Sequence, residues 1–211
     1  MLKGLIFDLD GCLIDSEVVQ KKAFSESYRI VVGDDKCPTY DEYIKYTGES
    51  VDNVFKMMNL PAEMAYYYRK ISRESVGEVS VNWDVVDLIK KYRDLKINVA
   101  ICTGKDHDRT EELLQYHKIR DLFDVIVCSD DVLHPKPSPD SVIMVTELMK
   151  NVSLEEVILI GDGYNDIQCA QNAGVKSVLT LWYGDTGVPR VADFVVKNAE
   201  ELACVVDSLL A

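Results

Sequence analysis

Apolar residues gather into short, nearly unbroken runs at residues 2–7, 97–102, 124–128, 157–160 and 176–181. Runs of that length, rich in Val, Ile and Leu, read as strands buried on both faces. The first four end on Asp8, Thr103, Ser129-Asp130-Asp131 and Gly161-Asp162, and the fifth runs into Trp182-Tyr183-Gly184. Between them, segments 107–117, 139–149 and 165–173 carry apolar positions at helical spacing. This alternation predicts an α/β fold with a doubly wound, Rossmann-like parallel sheet. Ligands of such sheets bind beyond the carboxyl ends of the strands. Asp8, Thr103, Lys136 and Asp162 are therefore expected to converge on one crevice.

The stretch between the first two strands is too long for a simple crossover. It has helical spacing at 17–29, 40–46, 51–58 and 62–76 and few β-rich runs. The pattern predicts an inserted all-α cap over residues 16–80, on a core made of residues 1–15 and 81–211. Hinges are expected at Asp15–Ser16 and around residues 80–83. In the competing arrangement the same helices pack directly on the sheet. Tyr66-Tyr67-Tyr68 reads as packing surface rather than a stacking platform.

Composition narrows the function classes. A chain of 211 residues suits one domain with a modest insertion. Against 23 basic residues stand 36 acidic ones, a net charge of −13, a field that repels phosphate-rich polymers and argues against nucleic acid. No apolar stretch approaches the roughly 20 residues of a membrane span. With a strand starting at Leu2 there is no room for a signal peptide, so a cytoplasmic protein is expected. Of six cysteines, Cys12, Cys102, Cys128 and Cys169 lie in or beside apolar runs, and none forms a C-x-x-C pair. Neither a disulfide framework nor a zinc site is expected. His107, His117 and His134 show no metal-ligand spacing, and His134, near Lys136, has no assigned task.

Four short segments carry candidate chemistry. Asp8-Leu9-Asp10-Gly11 sets two carboxylates at i and i+2 where the first strand ends. Unpaired, they would raise each other's cost of ionisation, which a divalent cation relieves. One could attack phosphorus while the other moves the leaving-group proton. A solvated turn often contains the same pair. Thr103-Gly104-Lys105 offers a hydroxyl and free N–H groups to a phosphoryl oxygen, or an ordinary strand-to-helix cap. Pro135-Lys136-Pro137 restrains the backbone around an ammonium that could neutralise phosphate charge; a lone lysine is usually solvated. In Gly161-Asp162-Gly163-Tyr164-Asn165-Asp166, Asp162 and Asp166 at i and i+4 supply the hard oxygen donors that Mg²⁺ prefers. Helix capping by Asp162 competes with that reading.

In this order, each at a strand end, the four segments resemble the haloacid dehalogenase superfamily of phosphatases, specifically its helical-cap branch (phosphoglycolate phosphatase-like and beta-phosphoglucomutase-like members). The resemblance implies a phosphoric monoester hydrolase with Asp8 as nucleophile and Asp10 as general acid/base. It implies that Thr103, Gly104 and Lys136 hold the phosphoryl group. Mg²⁺ would be bound by Asp8, the main-chain carbonyl of Asp10 and Asp162, with Asp166 in support. The expected partner is a small phosphorylated metabolite, and the expected state a monomer or weak homodimer. Halide-removing relatives lack the second aspartate and the metal carboxylates. Sugar phosphomutases have a histidine where Gln20 falls and an arginine after the cap's G-x-S, where this chain has Gly48-Glu49-Ser50-Val51. Hydrolysis is therefore the expected reaction, with a phosphomutase or a catalytically silent binding protein as the alternatives. A Pro-Gly that many relatives carry near the second hinge is replaced by Val81-Asn82-Trp83-Asp84. Lys21, Lys45, Tyr46, Arg69, Lys70 and Arg73 are candidates for the non-reacting part of the substrate, each also readable as a solvated helix face.

Overall fold

The computed structural model describes residues 1–33, 36–46, 50–184, 187 and 191–210. The chain begins with β1 (Gly4–Phe7), followed at once by the two-residue β2 (Ile14–Asp15). Four helices come next: α1 (Glu17–Val31), α2 (Tyr40–Tyr43), α3 (Val51–Met57) and α4 (Met64–Glu74). The path returns through β3 (Ser80–Val81) and alternates from there: α5 (Trp83–Asp94), β4 (Asn98–Cys102), α6 (His107–Tyr116), β5 (Val125–Val127), α7 (Asp140–Leu148), β6 (Val157–Gly161), α8 (Tyr164–Ala173), β7 (Lys176–Thr180), β8 (Phe194–Val196) and α9 (Ala199–Leu210).

Six strands form one parallel sheet in the order β5-β4-β1-β6-β7-β8. Side chains of β1 alternate between its faces as strand geometry requires. Leu5 and Phe7 join Val85, Ile89, Tyr92, Leu202 and Val206 on one face, while Ile6 joins Val142, Val145, Cys169 and Ala170 on the other. Both faces are thus covered by helices, which accounts for the unbroken apolar runs. Register pairs Phe7 with Ile101 on one side and with Ile160 on the other. The residues that follow, beginning with Asp8, Cys102 and Gly161, therefore emerge level at one edge.

The four-helix insertion has an apolar cluster of its own, built from Phe24, Tyr28, Tyr43, Val54, Phe55, Met64 and Ala65. This separate core matches the expected all-α insertion rather than helices laid on the sheet. Where the insertion leaves and rejoins, β2 and β3 pair antiparallel, with Ile14 opposite Val81 and Asp15 opposite Ser80. That two-strand ribbon and the edge strand β8 are additions to the expected elements. The expected tyrosine surface divides: Tyr66 is exposed, whereas Tyr68 packs on the insertion core and its hydroxyl lies 2.9 Å from that of Tyr43. None of the six cysteines is in a disulfide, and Cys12, Cys102, Cys128 and Cys169 are buried. Among the described residues no helix is long and apolar enough to cross a membrane.

Candidate active site

Asp8 follows the last residue of β1 and is fixed there by its N–H donating to the Ile160 carbonyl at 2.8 Å. Its carboxylate is nearly buried and accepts from Lys136 Nζ at 2.8 Å. Lys136, 2% exposed, also donates to the Cys102 carbonyl at 3.0 Å and to the Asp166 carboxylate. The lysine that sequence reading could equally assign to solvent is one of the largest fully buried side chains. Burial disfavours its charge, but Asp166 and Asp8 outweigh that and hold its pKa well above the ordinary value. One fixed ammonium thus sits between two carboxylates.

Oxygen atoms of Asp8, Asp162 and Asp166 lie within 4.8 Å of one another. Burial pushes the Asp8 carboxyl up to about 7; Lys136 works against that rise, while Asp166 and Asp10 add to it. Burial, and after it the charges of Asp166, Asp8 and Asp10, push Asp162 well above the usual carboxylate range. A lone ammonium does not balance this acidic group. Clustered hard oxygen donors with a deficit of positive charge fit a divalent cation, and Mg²⁺ in particular accepts carboxylates plus retained water. Gly11 takes φ +67°, and a Cβ there would lie 2.0 Å from Asp162 Oδ2. Only glycine lets the chain turn this close to that carboxylate.

Helix capping falls to a different residue from the one considered in the sequence. Gly163 is the N-cap of α8, and its N–H donates to Asp166 Oδ2 at 3.0 Å. Asp162 is left outside the helix, and Asp166, nearly buried, serves the cap with one oxygen and Lys136 with the other.

Asp10 points to a different set of partners. Lys105 Nζ stands 2.6 Å from its Oδ2, and the Ser16 hydroxyl donates to its Oδ1. Ser16 in turn accepts from Gln20 Nε2 at 2.7 Å, and Gln20 Oε1 accepts from the Tyr40 hydroxyl at 3.2 Å. Ser16 and Lys105 are polar partners of Asp10 that sequence reading did not assign. Both stood in quoted segments, but nothing in their spacing reveals the tertiary contact. Thr103 is buried, and its Oγ1 accepts from the Lys105 N–H at 3.2 Å.

These groups share a cavity of about 490 Å³. Asp8, Asp10, Thr103, Gly104, Lys136, Asp162 and Asp166 all line it, so every residue expected at the site is brought there. From the insertion, Lys45, Arg69 and Arg73 reach the same cavity. The other candidates for substrate contact do not. Lys21 pairs with Glu17 and lies over the Tyr40 ring, Lys70 borders a shallower cleft beside Tyr66, and Tyr46 is half-exposed. Gly48 and Glu49 of the expected G-x-S segment lie outside the described residues. His134 sits apart, 3.0 Å from Asp140.

Arg109 is a further residue without a sequence signal. On α6 and nearly buried, it donates from Nη2 to the Ser72 carbonyl of α4 at 2.7 Å and from Nη1 to Glu112 at 2.8 Å. It ties the insertion to the core at the cavity wall.

The sequence matches the family of haloacid dehalogenase-like hydrolases over residues 5–180. The chain belongs to that family. Among curated relatives, the pyrophosphatase PpaX of Bacillus mycoides is 28% identical over 184 residues, 86% of this chain and 84% of the relative. PpaX of Listeria monocytogenes is 27% identical over 210 residues, 96% of this chain and 95% of the relative. Among solved structures, CbbY from Rhodobacter sphaeroides in complex with phosphate superposes with a TM-score of 0.82 at 24% identity, covering 96% of each chain. A phosphoglycolate phosphatase assignment from Lactobacillus plantarum gives 0.86 at 18% identity, covering 97% of this chain and 99% of the other. The chain is thus a hydrolase that stands among phosphatases, and it shares their parallel sheet and helical insertion.

Proposed function

We propose that this hydrolase removes a phosphoryl group from a small phosphorylated metabolite through an aspartyl-phosphate on Asp8, with Mg²⁺ as its cofactor. The observation that carries the reading is the contact of buried Lys136 with both Asp8 and Asp166 at the carboxyl edge of the sheet. Such a pairing fixes one Asp8 oxygen and leaves the other for attack. Thr103 and Gly104 line the same cavity, and the Thr103 hydroxyl and Gly104 N–H would take phosphoryl oxygens, while the Lys136 ammonium offsets their charge. The Asp8 oxygen forms the bond to phosphorus as the bond to the leaving oxygen breaks. Asp10, set by Lys105 and Ser16, gives that oxygen its proton and later takes one from the water that attacks the phosphoenzyme. Phosphate leaves and Asp8 returns to its starting form. Mg²⁺ held by Asp8, the main-chain carbonyl of Asp10 and Asp162, with Asp166 behind them, would neutralise charge on the phosphoryl group. It would also keep Asp8 ionised against the upward pull of burial.

The cavity volume suits a metabolite rather than a folded phosphoprotein. We assign residues 16–80 to a cap that moves as a unit over a core of residues 1–15 and 81–211, with the β2–β3 ribbon as the hinge. Lys45, Arg69 and Arg73 on the cap favour a substrate with a second anionic group. Pyrophosphate and carboxylated or doubly phosphorylated small esters belong to that class. Gln20 bonded to Ser16 and Tyr40 favours hydrolysis over phosphomutation, since an amide cannot serve as the acid/base that a mutase histidine supplies.

Phosphate release from a panel of pyrophosphate, phosphoglycolate, sugar mono- and bisphosphates, nucleotides and an aryl phosphate tests the reading. Turnover is expected with Mg²⁺, is lost with a chelator and returns on adding Mg²⁺. Full turnover in metal-free buffer, or none on any phosphate, contradicts it.

A further inference from the structure

A second group of metal-ligating side chains lies away from the cavity. It joins His107, the first residue of α6, to Cys128 and Asp131 just beyond β5. One donor atom from each, a ring nitrogen, a sulfur and a carboxylate oxygen, lies within 4.8 Å of the others. No sequence spacing announces the set, because 20 residues and a strand separate the histidine from the cysteine. Parallel pairing of β4 with β5 brings their ends together.

The backbone already holds this group in shape. Asp131 Oδ2 accepts from the Cys128 N–H at 2.8 Å and lies 3.2 Å from His107 Nδ1. The His107 N–H donates to Asp130 Oδ1 at 2.9 Å, and the Ser129 N–H to the Lys105 carbonyl at 2.9 Å. Cys128 forms a buried floor, while His107 and Asp131 stand partly in solvent, so an ion has a path to all three. None of the three lines the catalytic cavity.

We infer that His107, Cys128 and Asp131 form a binding site for a zinc-like divalent cation. Zn²⁺ accepts nitrogen, thiolate and carboxylate together at about 2.0–2.3 Å in tetrahedral geometry, which sets donors roughly 3.5 Å apart. The present spread, within 4.8 Å, exceeds that by no more than about 1.3 Å. Three protein donors leave the fourth position to water. Soft and borderline donors separate this site from the all-oxygen group at Asp8, which suits Mg²⁺. Bound there, the ion clamps the β4–α6 turn, which carries Thr103 and Lys105, to the end of edge strand β5.

Cobalt added alone to reduced, metal-stripped protein reads the site, because thiolate coordination gives a near-ultraviolet charge-transfer band. One such band per chain is expected, displaced by Zn²⁺, and retained in Asp162→Ala, where the acidic group is disabled. Cys128→Ser should abolish it. His107→Ala, at a partly exposed position, should weaken cobalt binding at least ~10-fold and, in the Asp162→Ala background, cancel any rise in thermal midpoint on adding Zn²⁺. Absence of the band from the wild-type chain overturns the inference. So does a band that survives His107→Ala at unchanged affinity, which would mark binding by a cysteine alone. Activity is not the readout, since Zn²⁺ can also displace Mg²⁺ at Asp8.

Discussion

Asp8 combines burial, one bonded ammonium and two neighbouring carboxylates, and the balance leaves its pKa near 7, far above that of an unfolded chain. A group whose folded-state value is raised favours the folded state only when protonated. Below about 4 both states are protonated and nothing is lost. Between about 4 and 7 the unfolded chain gives up the proton first and stability falls; above 7 the loss is complete. In metal-free protein, Asp8→Asn should therefore stabilise the fold relative to wild type by an amount that grows from pH 4 to 7 and then levels off. Denaturant melts of both proteins across that range check this, and a difference independent of pH contradicts it. Asp10 invites a separate prediction. Its carboxylate is oriented by Lys105 and Ser16 rather than gathered into the acidic group. Asp10→Asn should cost about 10²–10⁴ in turnover while affinity for a phosphate analogue stays within about threefold. Lys105→Met should lower turnover in the same direction by a smaller factor. Equal losses in turnover and affinity for Asp10→Asn would mark a structural residue.

The insertion and the core meet through a few polar bridges at the level of whole elements. Arg109 of α6 donates to the Ser72 carbonyl of α4, Arg69 approaches Asp106, and Arg73 approaches Glu112. The last two, at 3.8 Å and partly exposed, are weak contacts that can break and reform. In the proposed function a cap held this way would open, and its cavity-lining cations would select the organic part of a substrate. Lys45→Ala and Arg69→Ala should reorder preference among phosphorylated metabolites, by tenfold or more in kcat/KM for those that carry a second anionic group besides the scissile phosphate. On a small aryl phosphate they should change kcat/KM by less than about threefold. Uniform loss on every substrate would mean that the two residues act on the chemistry instead. The elements of the candidate site were legible because each of their strands ends abruptly on a polar residue. Asp8, Thr103 and Asp162 follow from that pattern and the parallel topology. β8 escaped because three residues at a sheet edge carry little pattern, and β2 and β3 because two residues carry none. Arg109, Ser16 and the His107–Cys128–Asp131 group escaped for another reason: their partners are distant in sequence, and only the fold pairs them.

Across the whole molecule, the sheet performs one task. It delivers Asp8, Thr103, Lys136 and Asp162, spread over some 150 residues of chain, to one edge at one level, while the insertion closes the far wall. The central claim is that phosphoryl transfer passes through Asp8 in two displacements rather than by direct attack of water. The stereochemical course at phosphorus tests it without requiring the phosphoenzyme to accumulate. A thiophosphate analogue of a pyrophosphate or small-ester substrate, made chiral at phosphorus with sulfur, ¹⁶O and ¹⁸O, is turned over in ¹⁷O-labelled water, and the configuration of the released thiophosphate is determined. Two in-line displacements, first by Asp8 and then by water, predict overall retention. Inversion would mean that water attacks the substrate directly and would contradict the assignment of Asp8 as nucleophile.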